Sequence, residues 1–121
     1  MSSSVARNSD GTIKESISIP LISGTVAAAG STQGDATALA VGFNLVSAAD
    51  GTKGVVLPTG ERGKSIRVKN NASSTLKVYP PTSGTVNALA ANTAMTMAAN
   101  TSCEYVCYDG TAWYTIPLLP S

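Results

Sequence analysis

Residues 37–45 read TALAVGFNL, and no other stretch of the chain indicates its fold class so clearly. Large apolar side chains occupy every second position, and alanine, glycine or asparagine stands between them. Since successive side chains of a strand point to opposite faces of a sheet, this period of two predicts a β-strand with one buried face. The residues predicted to be buried are Leu39, Val41, Phe43 and Leu45.

Further short strands are predicted along the rest of the chain, separated by residues that favour turns. Asp50-Gly51 and Asn70-Asn71 follow apolar runs, and Asp109-Gly110 is a dipeptide typical of a β-hairpin. Turn signals recur about every 8–12 residues and no helical period is present, so the sequence predicts an all-β domain, a small antiparallel β-sandwich or barrel. The predicted strands after the first are 54–57, 65–69, 75–79, 86–89, 95–97, 102–108 and 112–116.

The chain divides by composition into an extended N-terminal arm with a linker (1–36) and a body (37–121). In the arm, four apolar residues share one parity of an extended pattern, which Pro20 restricts to an edge strand or to contact with another chain. Residues 22–36 are small and punctuated by glycine, so we interpret them as the linker. The four apolar arm residues are Ile13, Ile17, Ile19 and Leu21.

The composition indicates a sparsely charged surface. Charged residues make up 12% of the chain, against about 25% in an average soluble protein. The net charge is +1, and residues 53–77 sum to +5, which leaves −4 for the rest. Such a surface is either covered by partners or rich in serine, threonine and asparagine. No stretch approaches the ~18 consecutive apolar residues of a membrane span, so no membrane partner is predicted.

The inventory of reactive side chains argues against an enzyme. The chain has no histidine, the commonest general base and transition-metal ligand. Its seven carboxylates are scattered singly, so an acid pair such as Glu104 with Asp109 or Glu61 would depend on tertiary proximity. The sequence therefore predicts no catalytic residue, no metal site and no cofactor.

The two cysteines, Cys103 and Cys107, lie four residues apart in a predicted strand. In an extended chain their Cα atoms would be about 13 Å apart, well beyond the ~4.4–6.8 Å that a disulfide allows. We expect two free thiols, which suits assembly in a reducing cytoplasm. Both share the parity of Tyr105, so the three side chains are predicted to lie on a buried face.

A set of strand endings and turns in the body carries a family resemblance. The segments are VVLP (55–58), SIRVKN (65–70), LKVYP (76–80), VN (86–87), LAAN (89–92) and DGTAWY (109–114). In this order they resemble a module of tailed-phage virion proteins, which include head decoration (cement) proteins and some tail or fibre components. The resemblance covers about residues 37–116. It implies a β-rich fold, frequent homotrimers and binding to the coat-protein lattice, and it supplies no active-site residue.

Three basic residues, Arg67, Lys69 and Lys77, are the main candidates for contact with a partner. We predict that they take outward positions on adjacent strands, with Tyr79 on the same face. Basic and aromatic residues on a sheet can bind single-stranded nucleic acid, but a single aromatic residue in a nearly neutral domain argues against it. A solvated face and contact with an acidic coat-protein surface are the alternatives.

The single tryptophan, Trp113, lies in the predicted C-terminal hairpin beside Tyr114 and near Tyr108. We interpret it as an anchor in the core or at a subunit interface, because aromatic side chains dominate the energetics of both. A sugar-stacking platform is the alternative use of this hairpin.

Together with the resemblance, these features predict a capsid decoration protein that binds the assembled major capsid protein as a homotrimer and stabilises the head. Its expected place is the capsid exterior of the virion, after assembly in the host cytoplasm. A tail or fibre component, with carbohydrate binding as one use, is the alternative. The predicted contacts with capsid or neighbouring subunits are Ile13, Ile17, Ile19, Leu21, Arg67, Lys69, Lys77, Tyr79 and Trp113.

Overall fold

The computed structural model describes residues 22–116, with side chains from residue 25 onward. Strands take 46% of these residues, and their helical content is a single 3-10 turn, Gln33–Asp35. The all-β prediction is therefore confirmed. The strands are β1 (Ile22–Ala27), β2 (Thr37–Ala38), β3 (Gly42–Ala48), β4 (Gly54–Val56), β5 (Ser65–Asn70), β6 (Leu76–Tyr79), β7 (Thr85–Val86), β8 (Met95–Met97), β9 (Ser102–Cys107) and β10 (Ala112–Ile116).

The strands form two sheets, and the chain crosses from one to the other at almost every turn. One sheet has six strands in the order β1-β3-β5-β9-β10-β7, and the other has four in the order β2-β4-β6-β8. β1, β3 and β5 pair in parallel, as do β2, β4 and β6. Each odd strand and the even strand after it thus make one coil, and three coils stack. The arrangement is a β-solenoid, closed at its later end by the antiparallel strands β8 and β9.

The solenoid differs from the predicted antiparallel sandwich or barrel because its turns connect different sheets. At the corner between β3 and β4, the Asp50 carboxylate accepts hydrogen bonds from the backbone N–H groups of Thr52 (2.9 Å) and Lys53 (3.1 Å). Gly51, at φ +91°, donates its N–H to the Thr75 carbonyl of the next coil at 3.0 Å. Turn residues reveal where the chain bends, but not whether the next strand pairs with the previous one. The Asp109-Gly110 turn does join paired antiparallel strands, β9 and β10, and that predicted hairpin is confirmed.

Residues 22–36, predicted as a linker, contribute to the body. β1 pairs with β3 from Ile22 opposite Phe43 to Ala27 opposite Ala48. The segment that follows packs on the four-stranded sheet, where Gln33 donates a side-chain hydrogen bond to the Pro80 carbonyl at 2.7 Å. The predicted arm contacts Ile13, Ile17, Ile19 and Leu21 and the segment 117–121 lie outside the described residues.

Apolar side chains from both sheets form one core. Cys103, Tyr105 and Cys107 all point into it, and both thiols are unbridged, as their spacing predicts. Trp113 and Tyr105 are its largest members, and neither is exposed. Within residues 22–116 no helix is long and apolar enough to cross a membrane. The core residues are Ala28, Leu39, Val46, Val55, Leu57, Ile66, Val68, Leu76, Val78, Val86, Met95, Met97, Cys103, Tyr105, Cys107 and Trp113.

Two fully buried asparagines, Asn44 and Asn70, hold the corners of the solenoid. The Asn44 amide nitrogen donates to the carbonyls of Ala40 (2.9 Å) and Arg67 (3.2 Å). The Asn70 amide nitrogen donates to the carbonyl of Ser74 in its own coil (2.9 Å) and to that of Ala98 in a neighbouring turn (3.0 Å). Buried backbone groups require partners, and these side chains supply them where the ladders end.

Candidate interaction surface

The strand that defines the fold class presents its large apolar residues outward. Leu39 is buried, but Val41 is 41% exposed and Phe43 and Leu45 are half-buried on the outside of β3. Asn44 points inward instead. The prediction that Val41, Phe43 and Leu45 face the core is therefore wrong. Asn44 is buried because its amide forms hydrogen bonds with backbone groups of the corner. Its neighbours Phe43 and Leu45 must therefore point outward, since successive side chains of a strand alternate.

The outward side of the six-stranded sheet, here called the outer face, is the candidate interaction surface. Its central row is given by the strand register, in which Phe43 lies opposite Arg67, Arg67 opposite Glu104, and Glu104 opposite Ile116. A second row places Leu45 opposite Lys69. The outer face consists of Phe43, Leu45, Ser65, Arg67, Lys69, Ser102, Glu104, Val106, Tyr114 and Ile116.

Much of the outer face is apolar and accessible. Ile116 is 61% exposed and Tyr114 is 49% exposed. Two shallow hollows lie on it, one lined in part by Phe43 and Glu104 and the other in part by Val106 and Tyr114, and Ile116 borders both. Apolar surface gathered on one face marks a site of protein interaction more often than scattered single residues do.

The charges on the outer face are few and of both signs. The Arg67 guanidinium lies 4.0 Å from the Glu104 carboxylate, and the two side chains are 68% and 31% exposed. The Ser65 hydroxyl also donates to Glu104. Lys69 donates to the Asn100 carbonyl at 2.8 Å, at the edge of the face. An exposed ion pair of this kind adds little stability, so the Arg67 side chain remains available to an anionic partner.

Lys77 and Tyr79 do not share a face with Arg67 and Lys69, and that prediction is wrong. They lie on β6 of the four-stranded sheet, whereas the other two lie on β5 of the six-stranded sheet. The prediction assumed that consecutive strands pair, but the chain crosses between sheets at residues 71–75. Tyr79 is 8% exposed, and its hydroxyl donates to the Ser31 carbonyl at 3.0 Å, so it is covered by the chain itself.

Trp113 is a core anchor and cannot contact a partner from its place in the fold, because it is fully buried. The exposed aromatic residues of the hairpin are Tyr108 (68%) and Tyr114 (49%). Their rings meet edge to face, with centroids 6.2 Å apart. The sequence predicted that Trp113 is an anchor but left open whether it lies in the core or at a subunit interface. The structure places Trp113 in the core and the two tyrosines on the surface.

Four titratable groups of the described range have clearly shifted pKa values. Burial raises the pKa of the Cys103 thiol to about 11 and that of Tyr105 well above its usual value, so both are protonated at neutral pH. Hydrogen bonds from Thr52, followed by weaker ones, lower the pKa of Asp50, and backbone N–H groups of Ala112 and Thr111 lower that of Asp109. Among residues 22–116, no three His, Cys, Asp or Glu side chains gather as metal ligands would.

No family model matches this sequence, and the search of curated proteins finds no match.

Sequence reasoning named Arg67 and Lys69 on the outer face but missed its apolar members Phe43, Leu45, Val106 and Ile116. One available signal was Asn44, since a buried asparagine would reverse the parity assigned to its neighbours.

Proposed function

We propose that this chain is a non-catalytic structural protein of a tailed-phage virion, a capsid decoration protein that binds the major capsid protein lattice as a homotrimer. The observation that carries the proposal is the outer face, where apolar residues such as Phe43, Tyr114 and Ile116 surround a single ion pair. A surface of this composition suits the binding of other protein surfaces. The resemblance of residues 37–116 to virion modules supports the choice of partner.

The proposed role requires no chemistry. A protein that binds the assembled shell, and not the free coat subunits, shifts the equilibrium towards the shell. At a free concentration of 100 times the dissociation constant, each bound site would stabilise the assembled state by about 2.7 kcal/mol. Repeated over many lattice positions, this linkage would strengthen a head against internal pressure. Its expected place is the capsid exterior.

The contact with the coat protein is proposed to involve basic side chains outside the subunit interface. Lys77 lies on the opposite sheet from Arg67, so the two cannot contact the same flat surface. If the outer face joins subunits, Lys77 and its neighbours on the four-stranded sheet remain for an acidic coat surface. Complementary charge would then set the orientation and the rate of binding more than its strength.

Binding to shells is tested by adding the purified chain back to particles of the encoding phage that lack it. Sedimentation should recover a saturating, fixed number of copies per shell, and the temperature at which the shells open should rise. A Lys77→Glu variant should bind more slowly and with weaker salt dependence. Arg62→Glu makes the same change of charge at an exposed position beside the hollow lined by Val106 and Tyr114, and serves as the control. Equal binding to unassembled coat subunits, or none to shells, would contradict the proposal.

A tail or fibre component that binds carbohydrate is the second candidate. The specific observation is the exposed pair Tyr108 and Tyr114 beside the hollow lined by Arg62 and Ile116. Aromatic rings with one apolar side and one polar tip suit amphipathic ligands such as sugars. A host-surface polysaccharide that shifts the Tyr108 and Tyr114 ring resonances, with the shift lost in Tyr108→Ala, would favour this candidate.

A further inference from the structure

The outer face leaves several large apolar side chains accessible to water in a free subunit. Phe43, Leu45 and Val106 are only half-buried, and Ile116 and Tyr114 are more exposed still. Phe43 and Leu45 lie on β3 and the other three lie on β9 and β10, with the polar outward side of β5 between them. Phe43 and Ile116 nevertheless line one hollow. Burial of apolar surface contributes about 25 cal/mol per Å², so an extended segment laid along this row would gain appreciable free energy.

The chain contains one segment whose pattern complements the outer face. In residues 13–21, Ile13, Ile17, Ile19 and Leu21 alternate with Lys14, Ser16 and Ser18, and Glu15 has the same parity as the apolar residues. In an extended conformation one side of this segment would present isoleucines and leucine with a single carboxylate among them. The outer face presents apolar residues with Arg67, Lys69 and Glu104 among them, a net charge of +1. The segment thus offers apolar residues to the apolar residues of the face, and its carboxylate is opposite in sign to the net charge of the face.

The length of the segment also fits. The central row of the outer face crosses four strands, from Phe43 to Ile116, and three strand spacings of about 4.8 Å make it about 14 Å wide. Seven extended residues, 13–19, span about 23 Å at 3.3 Å per residue. The segment can therefore cross the whole row, with Glu15 reaching the level of Arg67.

The sequence between the segment and β1 favours binding to another copy. Pro20 and Leu21 alone separate residue 19 from Ile22, the first residue of β1. The preferred two-residue hairpin turns need a positive φ at their first position, which proline cannot adopt. The residue before proline is also restricted to extended conformations. Chain reversal onto the same subunit through a tight hairpin turn is thus disfavoured.

We propose that residues 13–21 of one copy dock on the outer face of a second copy, with Glu15 beside Arg67. This inference rests on the self-association that belongs to the proposed function and deepens it, because it names the donor and the acceptor surfaces. Three copies that each donate one segment and accept one would close a ring. The charge pair would fix the register of the segment, since a shift by one residue turns the isoleucines away from the face.

Crosslinking of mixed single-cysteine variants tests the docking directly. In a Cys103→Ala, Cys107→Ala background, one full-length protein carries Glu15→Cys and another carries Arg67→Cys. After mixing and mild oxidation, a non-reducing gel should contain a covalent dimer of the two chains. Lys14→Cys, of the opposite parity, is the matched control and should crosslink to Arg67→Cys several-fold less. Absence of the dimer, or equal crosslinking of the control, would overturn the proposal.

A second test, light scattering, leaves the buried cysteines Cys103 and Cys107 in place. Light scattering over a range of concentrations should give three chains per particle for the native protein. Glu15→Arg should raise the concentration at which trimers dissociate by about tenfold or more, because like charges would then meet at Arg67. Asp10→Arg makes the same change of net charge outside the segment and should have an effect within about twofold. Equal behaviour of the two variants would contradict the docking.

These assays contain no capsid, so their outcome is separate from the capsid-binding function. A trimeric native protein with no crosslink would refute the docking alone. A native protein that stays monomeric at all concentrations would refute the self-association on which both proposals draw. Loss of shell binding with intact crosslinking would refute the capsid role and leave the docking in place.

Discussion

Replacing the buried Asn70 by leucine should destabilise the fold more than any change of similar size at the surface. The Asn70 side chain connects two corners, because its amide nitrogen donates to Ser74 and Ala98 carbonyls and its oxygen accepts from the Ala72 N–H at 3.1 Å. Leucine has the same number of side-chain heavy atoms and the same branching, but no polar atom. The variant therefore removes the hydrogen bonds, and its methyl groups, which are bulkier than the amide, add a cost of crowding at this fully buried position.

The expected loss follows from the groups left without partners. The Ala72 N–H lies in a residue only 8% exposed, so water reaches it poorly. A buried polar group without a partner costs about 1–3 kcal/mol. If this N–H and one of the two carbonyls lose their partners, Asn70→Leu should lower the free energy of unfolding by about 2–6 kcal/mol.

Equilibrium urea unfolding, followed by the fluorescence of the buried Trp113, measures this change. All variants must be compared at one protomer concentration, because association would add to the apparent stability. Asn71→Ala is the matched control, since Asn71 is exposed, and it should stay within about 0.5 kcal/mol of the native protein. If the free energy of unfolding of Asn70→Leu were also within about 0.5 kcal/mol of the native value, the view that buried asparagines hold the corners would be refuted.

Three further predictions concern the two thiols, the hairpin between β9 and β10, and the close contact of Gly54 with β6. Alkylation of the unfolded chain without reductant should modify both Cys103 and Cys107, and a disulfide would instead leave both unmodified and the unreacted mass two units low. Because hydrogen bonds lower the pKa of Asp109 in the fold, its stabilising effect is present above pH about 4 and is lost as pH falls. Between pH 5 and 2.5 the melting temperature of Asp109→Asn should thus fall less than that of the native chain, and equal slopes would contradict this. Gly54→Ala would set a Cβ 2.8 Å from the Tyr79 ring and 2.9 Å from the Lys77 carbonyl. The free energy of unfolding measured in urea should fall by about 1–3 kcal/mol. An unchanged urea midpoint would contradict the close packing of β4 on β6.

Local features of the sequence predicted the local features of the fold. The alternation around Tyr105 correctly indicated a strand with Cys103 and Cys107 inward, and Asp109-Gly110 correctly indicated the hairpin that follows. Both depend on the period of side chains along a strand and on turn chemistry, which involve only neighbouring residues.

The pairing of strands and the direction of the outer face could not be predicted in the same way. A turn such as that at Asp50-Gly51 can lead back to the same sheet or across to the other, and the choice depends on stacking with the Thr75 corner far along the chain. The apolar residues Phe43 and Leu45 share a parity in any strand, but only the buried amide of Asn44 decides which parity faces inward. Lys77 and Tyr79 were assigned to the face of Arg67 and Lys69 because the pairing of strands could not be predicted.

The exposed apolar residues on the outer face are a clear departure from a simple pattern of apolar residues inside and polar residues outside. Departures of this kind are expected at functional surfaces, where a subunit keeps apolar groups exposed until a partner covers them. Ile116 and Phe43 are examples, since each lies at an end of the central row and neither belongs to the core. The proposals on assembly start from these residues.

The number of copies in the virion tests the proposed function most directly. Under the proposed function the chain is part of a phage virion, so purified virions can be separated on a denaturing gel beside known amounts of the recombinant protein and quantified against the coat-protein band. A decoration protein should be present in hundreds of copies, in a fixed ratio to the coat protein. A dozen copies or fewer would instead indicate a tail or fibre component, and none at all would contradict a place in the virion.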